Sequence, residues 1–89
     1  MKIKEGFVLR QICGEHIITG EGLAQVNFNK MIALNETAAW LWEQVCDKEF
    51  TPESLAALLL ERYEVTEDVA LTDARNVAQA WVDAGIAEA

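Results

Sequence analysis

Short runs of β-branched and aromatic residues fill the first third of the chain, and apolar residues at helical spacing fill the rest. Residues 6–12 (GFVLRQI) and 16–19 (HIIT) predict two strands, and the Cys-Gly-Glu between them predicts a tight hairpin loop. Residues 26–29 (VNFN) predict a short extended piece, and Met31–Leu34 is predicted as a third strand. Three such strands must pack on other elements to be stable.

Three helices are predicted after the strands. Asn35 is a favourable N-cap, and apolar positions at helical spacing after it predict an amphipathic helix over residues 36–46. Thr51 followed by Pro52 is a second start signal, for a helix that continues to about Tyr63.

The third helix is predicted to start at residues 66–68 (TED) and to end at Gly85, with Ile86 packing back on it. Its core face is predicted to consist of four side chains: Ala70, Ala74, Val77 and Trp81. Because strands are grouped before helices, we expect an α+β fold, with a three-stranded antiparallel sheet followed by three helices. The 89 residues contain no repeat and no long linker, so a single domain over residues 1–89 is expected.

Composition and charge limit where the protein is located and which partners it binds. No apolar run approaches the ~20 residues that span a bilayer, and no signal peptide is evident, so we expect a cytoplasmic protein with no membrane partner. The net charge of −8 is uneven, because residues 35–89 hold three basic and twelve acidic residues. This half repels phosphate backbones and favours a basic partner, although a solvated helical surface is the simplest explanation.

The chain offers few groups for chemistry. His16 is the single histidine, and neither it nor the two cysteines have the spacing of metal ligands. Cys13 is placed in a turn, and Cys46 is expected to be a small buried side chain at the end of the first helix. Ser54 is the only serine and lies in no nucleophile elbow. We therefore expect no enzyme, no metal site and no cofactor.

A small sheet with three helices also describes winged-helix DNA-binding proteins, whose last helix reads the major groove. Here the charged residues of that helix are one arginine and four acids: Arg75, Glu67, Asp68, Asp73 and Asp83. Phosphates would repel such a helix, so a nucleic-acid-binding regulator remains only an alternative, and we expect no nucleic-acid partner. A subunit that merely bridges two proteins is a further alternative.

The edge of the predicted sheet indicates peptide binding. An exposed edge strand offers N–H and C=O groups to which a peptide can add as a further strand. Within the third strand, Met31 and Ala33 point to one face, whereas Ile32 and Leu34 point to the other. One pair can pack on the core while the other meets a ligand. The alternative, that all four side chains belong to the core, fits the pattern equally well.

Four segments resemble the PqqD-like family: GFVLR at residues 6–10, CGEHII at 13–18, LNETAAWLW at 34–42 and LLLERYEVTEDVALTDARNVAQAWVDAGI at 58–86. The resemblance covers nearly the whole chain and includes no catalytic motif. It implies a winged-helix-like fold and a non-catalytic peptide chaperone, a recognition element for ribosomally made (RiPP) precursor peptides. The family is named for pyrroloquinoline quinone biosynthesis. Its members hold a precursor's leader and present it to a modifying enzyme, often a radical S-adenosylmethionine (SAM) enzyme.

The resemblance also implies where the leader lies, as a strand added to the third strand in the groove beside the third helix. The implied peptide-binding residues are Met31, Ile32, Ala33 and Leu34 through their backbone, and Leu71, Arg75, Ala78 and Val82 through their side chains. Leu71, Ala78 and Val82 would receive apolar side chains, and Arg75 would pair with a carboxylate. Each of these residues also has a simpler explanation. Leu71 and Val82 would then belong to the core, and Arg75 would be a solvated charge.

The LNETAAWLW segment joins the expected edge strand to the first helix. Asn35 caps the helix and fixes where the strand ends, while Leu41 and Trp42 are expected to lock the helix to the sheet. A rigid junction keeps the edge pre-formed and lowers the ordering cost of peptide binding. An unliganded edge can also pair with itself, so either a monomer or a homodimer is expected.

Overall fold

The structure is a computed structural model that describes residues 1–21 and 31–89. Its elements in chain order are β1 (Lys2–Ile3), β2 (Phe7–Ile12), β3 (Glu15–Gly20), β4 (Met31–Leu34), α1 (Glu36–Val45), α2 (Pro52–Arg62), α3 (Glu67–Asp83) and β5 (Ala87–Glu88). The extended piece predicted at residues 26–29 lies outside the described residues. The expected antiparallel sheet and three helices are present, which confirms the α+β fold.

The larger sheet is antiparallel, with strand order β2-β3-β4. In the β2–β3 hairpin the last paired residues are Ile12 and Glu15, so Cys13 and Gly14 form the turn. Both turn residues have positive φ, 52° for Cys13 and 81° for Gly14. This is the conformation of a type I′ turn, whose twist matches that of the strands it joins. Cys13 therefore lies in a turn, as predicted.

Side-chain oxygens cap all three helices at their N-termini. The Oδ1 atom of Asn35 accepts a hydrogen bond of 2.7 Å from the backbone N–H of Ala38. Thr51 caps α2 in a reciprocal capping box with Ser54, and Thr66 caps α3. Each cap satisfies an N–H group that has no partner inside its helix, which explains why all three helices begin where the sequence predicts.

The end of α3 is a Schellman motif. The N–H of Ile86 donates to the carbonyl of Trp81, and the N–H of Gly85 donates to the carbonyl of Val82, both at 3.0 Å. Gly85 has a φ of 80°, a left-handed conformation that glycine adopts without a Cβ clash. Ile86 is 0% exposed, so the chain turns back onto the core as predicted.

A second, two-stranded sheet joins the two ends of the chain, and the sequence pattern did not predict it. β1 pairs antiparallel with β5, with Ile3 opposite Ala87. The carbonyl of Met1 also accepts a hydrogen bond of 2.8 Å from the N–H of Phe50. Strands of two residues are too short to show an alternating pattern, so they emerge only from tertiary contacts.

One core connects the sheet to the helices and the terminal strands. Its most deeply buried side chains include Ile18 from β3, Leu41 from α1 and Leu55 from α2. The prediction that Cys46 is buried is wrong, because Cys46 is exposed. α1 ends at Val45, which completes the buried stripe, and Cys46 is the C-cap residue just beyond it.

Candidate functional site

The strand β4 lies at one edge of the larger sheet. β3 pairs with it on one side, and no strand from the described ranges 1–21 and 31–89 pairs with it on the other. Along an antiparallel strand, alternate residues direct both their N–H and C=O groups away from the partner. Two residues of β4 therefore offer backbone donors and acceptors to a further strand.

The side chains of β4 divide between the two faces of the sheet. Ile32 and Leu34 are half-buried and pack on the core, whereas Met31 is 63% exposed and Ala33 is exposed. Ile32 lies opposite Ile18 in β3, which is fully buried. The four side chains are thus not all core, and one of the two sequence alternatives is excluded. The strand is anchored by one face while its edge and other face stay accessible.

A groove of about 290 Å³ runs between β4, the start of α1 and one flank of α3. Its lining residues are Ile32, Ala33, Leu34, Asn35, Ala38, Asn76, Val77, Ala80 and Trp81. Most of these side chains are apolar, and Trp81 is 2% exposed at the back of the groove. The groove therefore combines an open strand edge with an apolar helical wall, the two features that an extended peptide needs from a receptor.

The predicted assignment of α3 faces needs a correction. Ala78 is 1% exposed and belongs to the core, so it does not line the groove. Val77, which the sequence pattern places on the core face, is half-buried and lines the groove while also packing against the core. The buried stripe runs through Ala70, Ala74 and Ala78, a spacing of four residues that rotates gradually around the helix.

The other three helix residues implied by the family resemblance are not brought together with β4. Leu71 and Val82 are half-buried against the core and Arg75 is exposed, and none of the three lines the groove. At ~100° per residue, these side chains lie on the flank of α3 opposite Val77 and Ala80. The sequence identifies the core stripe of α3 but does not show which side of that stripe faces β4.

His16 lies half-buried in β3, opposite Leu34 at the end of the sheet. It borders a polar cavity of about 550 Å³ together with Glu15 and Glu36, next to the groove. In residues 1–21 and 31–89, no three or more His, Cys, Asp or Glu side chains are grouped so as to hold a metal ion. No helix in these ranges is both long enough and apolar enough to cross a bilayer.

A polar cluster lies on the outer face of the sheet. The guanidinium of Arg10 forms a bidentate pair with Glu21, with 2.5 Å between Nη2 and Oε1, and the Thr19 hydroxyl donates to Oε2 at 2.7 Å. The hydrogen bonds from Arg10 and then Thr19 lower the pKa of Glu21 to about 2. The preceding residue, Leu9, packs on the core and lies opposite the buried Ile18, so Arg10 points to the other face of the sheet.

The sequence matches the family described as coenzyme PQQ synthesis protein D (PqqD) over residues 15–87. The chain belongs to the PqqD family. The match extends from β3 into β5 and includes both walls of the groove. It confirms the resemblance found in the sequence.

Two solved structures share the fold of this PqqD-family chain. One is TbiB1 in complex with the TbiA(beta) leader peptide, with 18% identity and a TM-score of 0.76 over 99% of this chain and 95% of that one. The other is lasso peptide synthetase B1 complexed with the leader peptide, with 19% identity and a TM-score of 0.75 over 99% and 96%. At these identities the likeness establishes the fold. The chain matches no curated protein.

Proposed function

We propose that this chain is a non-catalytic recognition domain, extending over residues 1–89, for the leader of a ribosomally synthesised precursor peptide. The observation that carries the proposal is the groove, in which the open edge of β4 faces an apolar flank of α3. A leader would add to β4 as a fourth strand and place every second side chain in the groove. Both structural relatives are described as complexes with a leader peptide, which supports this use of the fold.

Two sets of residues would bind the leader. The backbone of Met31–Leu34 supplies the hydrogen bonds of the added strand, and the side chains of Val77 and Ala80 contact its inward-facing residues. Val77 therefore has the role that the family resemblance implies for Ala78. Leu71, Arg75 and Val82 stay outside this groove because they lie on the other flank of α3.

The same arrangement explains how a bound precursor would be presented. Only the leader is held, so the remainder of the precursor is free to enter the active site of a separate modifying enzyme in the cytoplasm, such as a radical SAM enzyme. The rigid junction at Asn35 keeps β4 in place before the peptide arrives, which reduces the ordering cost of binding. The open edge also permits two copies to pair through β4, so a homodimer would have to dissociate before it binds a leader.

The test uses peptides selected from a random ten-residue display library, with the purified protein as bait. Selected peptides are titrated into ¹⁵N-labelled protein, and we expect amide shifts confined to Met31–Leu34, the start of α1 and the Val77–Ala80 flank of α3. In the variant Ala80→Arg a long side chain fills the groove, so peptide affinity should fall about tenfold or more.

Gln79→Arg is the matched control, because it introduces the same side chain on the same helix outside the groove. It should leave peptide affinity unchanged. Equal weakening by both variants, or amide shifts centred on Leu71 and Val82, would contradict binding in this groove. Failure to select any peptide with a folded protein would count against the whole proposal.

A further inference from the structure

A second, smaller cavity lies between the start of α1, the end of α2 and the first part of α3. It has a volume of about 190 Å³ and is lined by Thr37, Leu59, Tyr63, Val65 and Asp73. Thr37 directly precedes Ala38 of the groove, and Asp73 lies one helical turn before Val77 on the same flank of α3. α1 and α3 therefore each contribute residues to both the groove and the cavity. An extended peptide in the groove would continue towards the cavity.

The lining of the cavity combines apolar and polar side chains. Leu59 is 4% exposed and Val65 is 38% exposed, and both contribute apolar surface to the lining of the cavity. The hydroxyl groups of Thr37 and Tyr63 lie 3.3 Å apart, and Asp73 adds a carboxylate. A cavity that combines apolar side chains with a carboxylate and hydroxyl oxygens suits a side chain with an aliphatic stem and a cationic head.

The carboxylate of Asp73 has no ion-pair partner in the described part of the chain. Arg62, which precedes Tyr63 at the end of α2, places its guanidinium over the ring of Trp40, 4.7 Å from the centroid, and 5.8 Å from the centroid of the Tyr63 ring. Glu64 before α3, and Glu67 and Asp68 in its first turn, add negative charge within a half of the chain that carries twelve acidic and three basic residues. The local field therefore favours a cation from outside.

We propose that this cavity binds one lysine or arginine side chain of the same peptide that occupies the groove. This inference rests on the proposed function, and it adds a charge preference to a groove that is otherwise apolar. The aliphatic stem would lie against Leu59 and Val65, and the cationic head would bind Asp73 and the Tyr63 hydroxyl. Asp73 is exposed, and its carboxylate would accept a charge-assisted hydrogen bond, which is stronger than one between neutral groups.

The spacing along the peptide follows from the two walls. Asp73 and Val77 are four residues apart on α3, a rise of about 6 Å. An extended peptide advances about 3.3 Å per residue and turns every second side chain to the same face, so inward-facing side chains recur every ~6.6 Å. The basic residue should therefore stand two positions from the apolar residue that packs against Val77.

The experiment measures this preference in peptides selected from the ten-residue display library. We expect lysine or arginine to be enriched two positions from an apolar anchor. A synthetic selected peptide is then compared, by calorimetry, with a copy that has norleucine in place of the basic residue. The wild-type protein should bind the basic peptide several-fold more tightly, because the copy cannot form the charge-assisted bond with the exposed Asp73.

Asp73→Asn should remove this preference, so that both peptides bind with similar affinity. Asp68→Asn is the matched control, because it removes the same charge from an exposed position of α3 outside the cavity, and it should preserve the preference. Circular dichroism of each variant verifies folding before the titrations.

The outcomes separate the inference from the function on which it rests. If peptides bind in the groove but the wild type does not distinguish lysine from norleucine, the cavity is not a cation subsite, whereas the recognition function stands. A preference that persists in Asp73→Asn, or disappears equally in Asp68→Asn, also overturns the inference. Failure of the library to yield any binder overturns both.

Discussion

The indole rings of Trp42 and Trp81 meet edge to face, with their centroids 5.5 Å apart and their planes at 81°. This contact joins α1 to α3, and Phe50 adds a second edge-to-face contact with Trp81, at 5.8 Å. Trp81 also lines the groove beside β4. The same side chain therefore holds the helices together and forms the back of the candidate binding site.

We expect Trp81→Ala to be among the most destabilising single substitutions. Trp81 is 2% exposed, and truncation would leave a large cavity and remove both aromatic contacts. The free energy of unfolding should fall by roughly 3–5 kcal/mol, measured by urea denaturation followed by circular dichroism. Trp40→Ala is the control, because Trp40 is only half-buried and should contribute less. Equal losses in the two variants would contradict the central position of Trp81.

The cap at Asn35 gives a second prediction. Its Oδ1 atom accepts the N–H of Ala38 at 2.7 Å, so Asn35→Ala leaves that donor without its partner. The free energy of unfolding should fall by about 1 kcal/mol. Asn35→Asp keeps an acceptor at the same position and should retain most of the stability. Denaturation midpoints that are the same for Asn35→Ala and wild type would show that the cap does not stabilise α1.

The Schellman motif at the end of α3 gives a third prediction. Gly85 has a φ of 80°, where a Cβ atom is unfavourable, so Gly85→Ala should lower the free energy of unfolding by roughly 1–2 kcal/mol. Gly85→Asn should lower it less, because asparagine tolerates the left-handed region. Thermal or urea denaturation of both variants makes the comparison. The same loss for alanine and asparagine would indicate that the backbone conformation is not the cause.

Local signals in the sequence predicted the helices well. Asn35, Thr51 and Thr66 each carry a side-chain acceptor next to an amphipathic run, and Gly85 with Ile86 forms a complete stop signal. These motifs depend only on residues within one helical turn, so neighbouring elements do not alter them. The end of the edge strand could be placed for the same reason, because Asn35, the cap of α1, directly follows it.

The flank of α3 could not be predicted in the same way. Val77 and Ala78 are adjacent in sequence, and each continues the periodicity of Ala70 and Ala74 within the width of a typical buried stripe. Which of them faces β4 depends on how α3 rotates against α1 and α2, and contacts such as Trp42 with Trp81 determine that rotation. The pairing of β1 with β5 was missed because it joins residues from opposite ends of the chain.

The lowered pKa of Glu21 gives a fourth prediction. Its pKa falls from 4.5 to about 2 because Arg10, and then Thr19, hydrogen-bond to its charged form. Since the folded pKa lies below the unfolded one, the charged carboxylate contributes stability above pH ~4.5, and the contribution is lost as the pH falls towards 2. The stabilisation is modest and salt-dependent because the pair is exposed.

An NMR titration of the Glu21 carboxyl carbon measures this pKa directly. In Arg10→Gln the pKa should rise towards its ordinary value, and in Thr19→Val it should rise less, since Arg10 is the larger cause. Stability should also depend less on pH between about 4.5 and 2 in Arg10→Gln than in wild type. A Glu21 pKa that does not move in Arg10→Gln would show that the pair does not form in solution.

Strand addition at β4 gives the last prediction, and it concerns the peptide instead of the protein. Every second residue of an added strand directs its N–H towards β4, and the residues between direct theirs to solvent. A selected peptide is therefore synthesised as a series with one backbone nitrogen methylated at a time, and each affinity is measured by calorimetry. Methylation at alternate positions should weaken binding several-fold to about tenfold, as expected from losing one hydrogen bond, while the positions between change little. A peptide that docked as a helix would instead show sensitive side chains spaced three and four residues apart, without this alternation. A period of two in the methylation series distinguishes pairing with Met31–Leu34 from contact with the apolar flank of α3 alone.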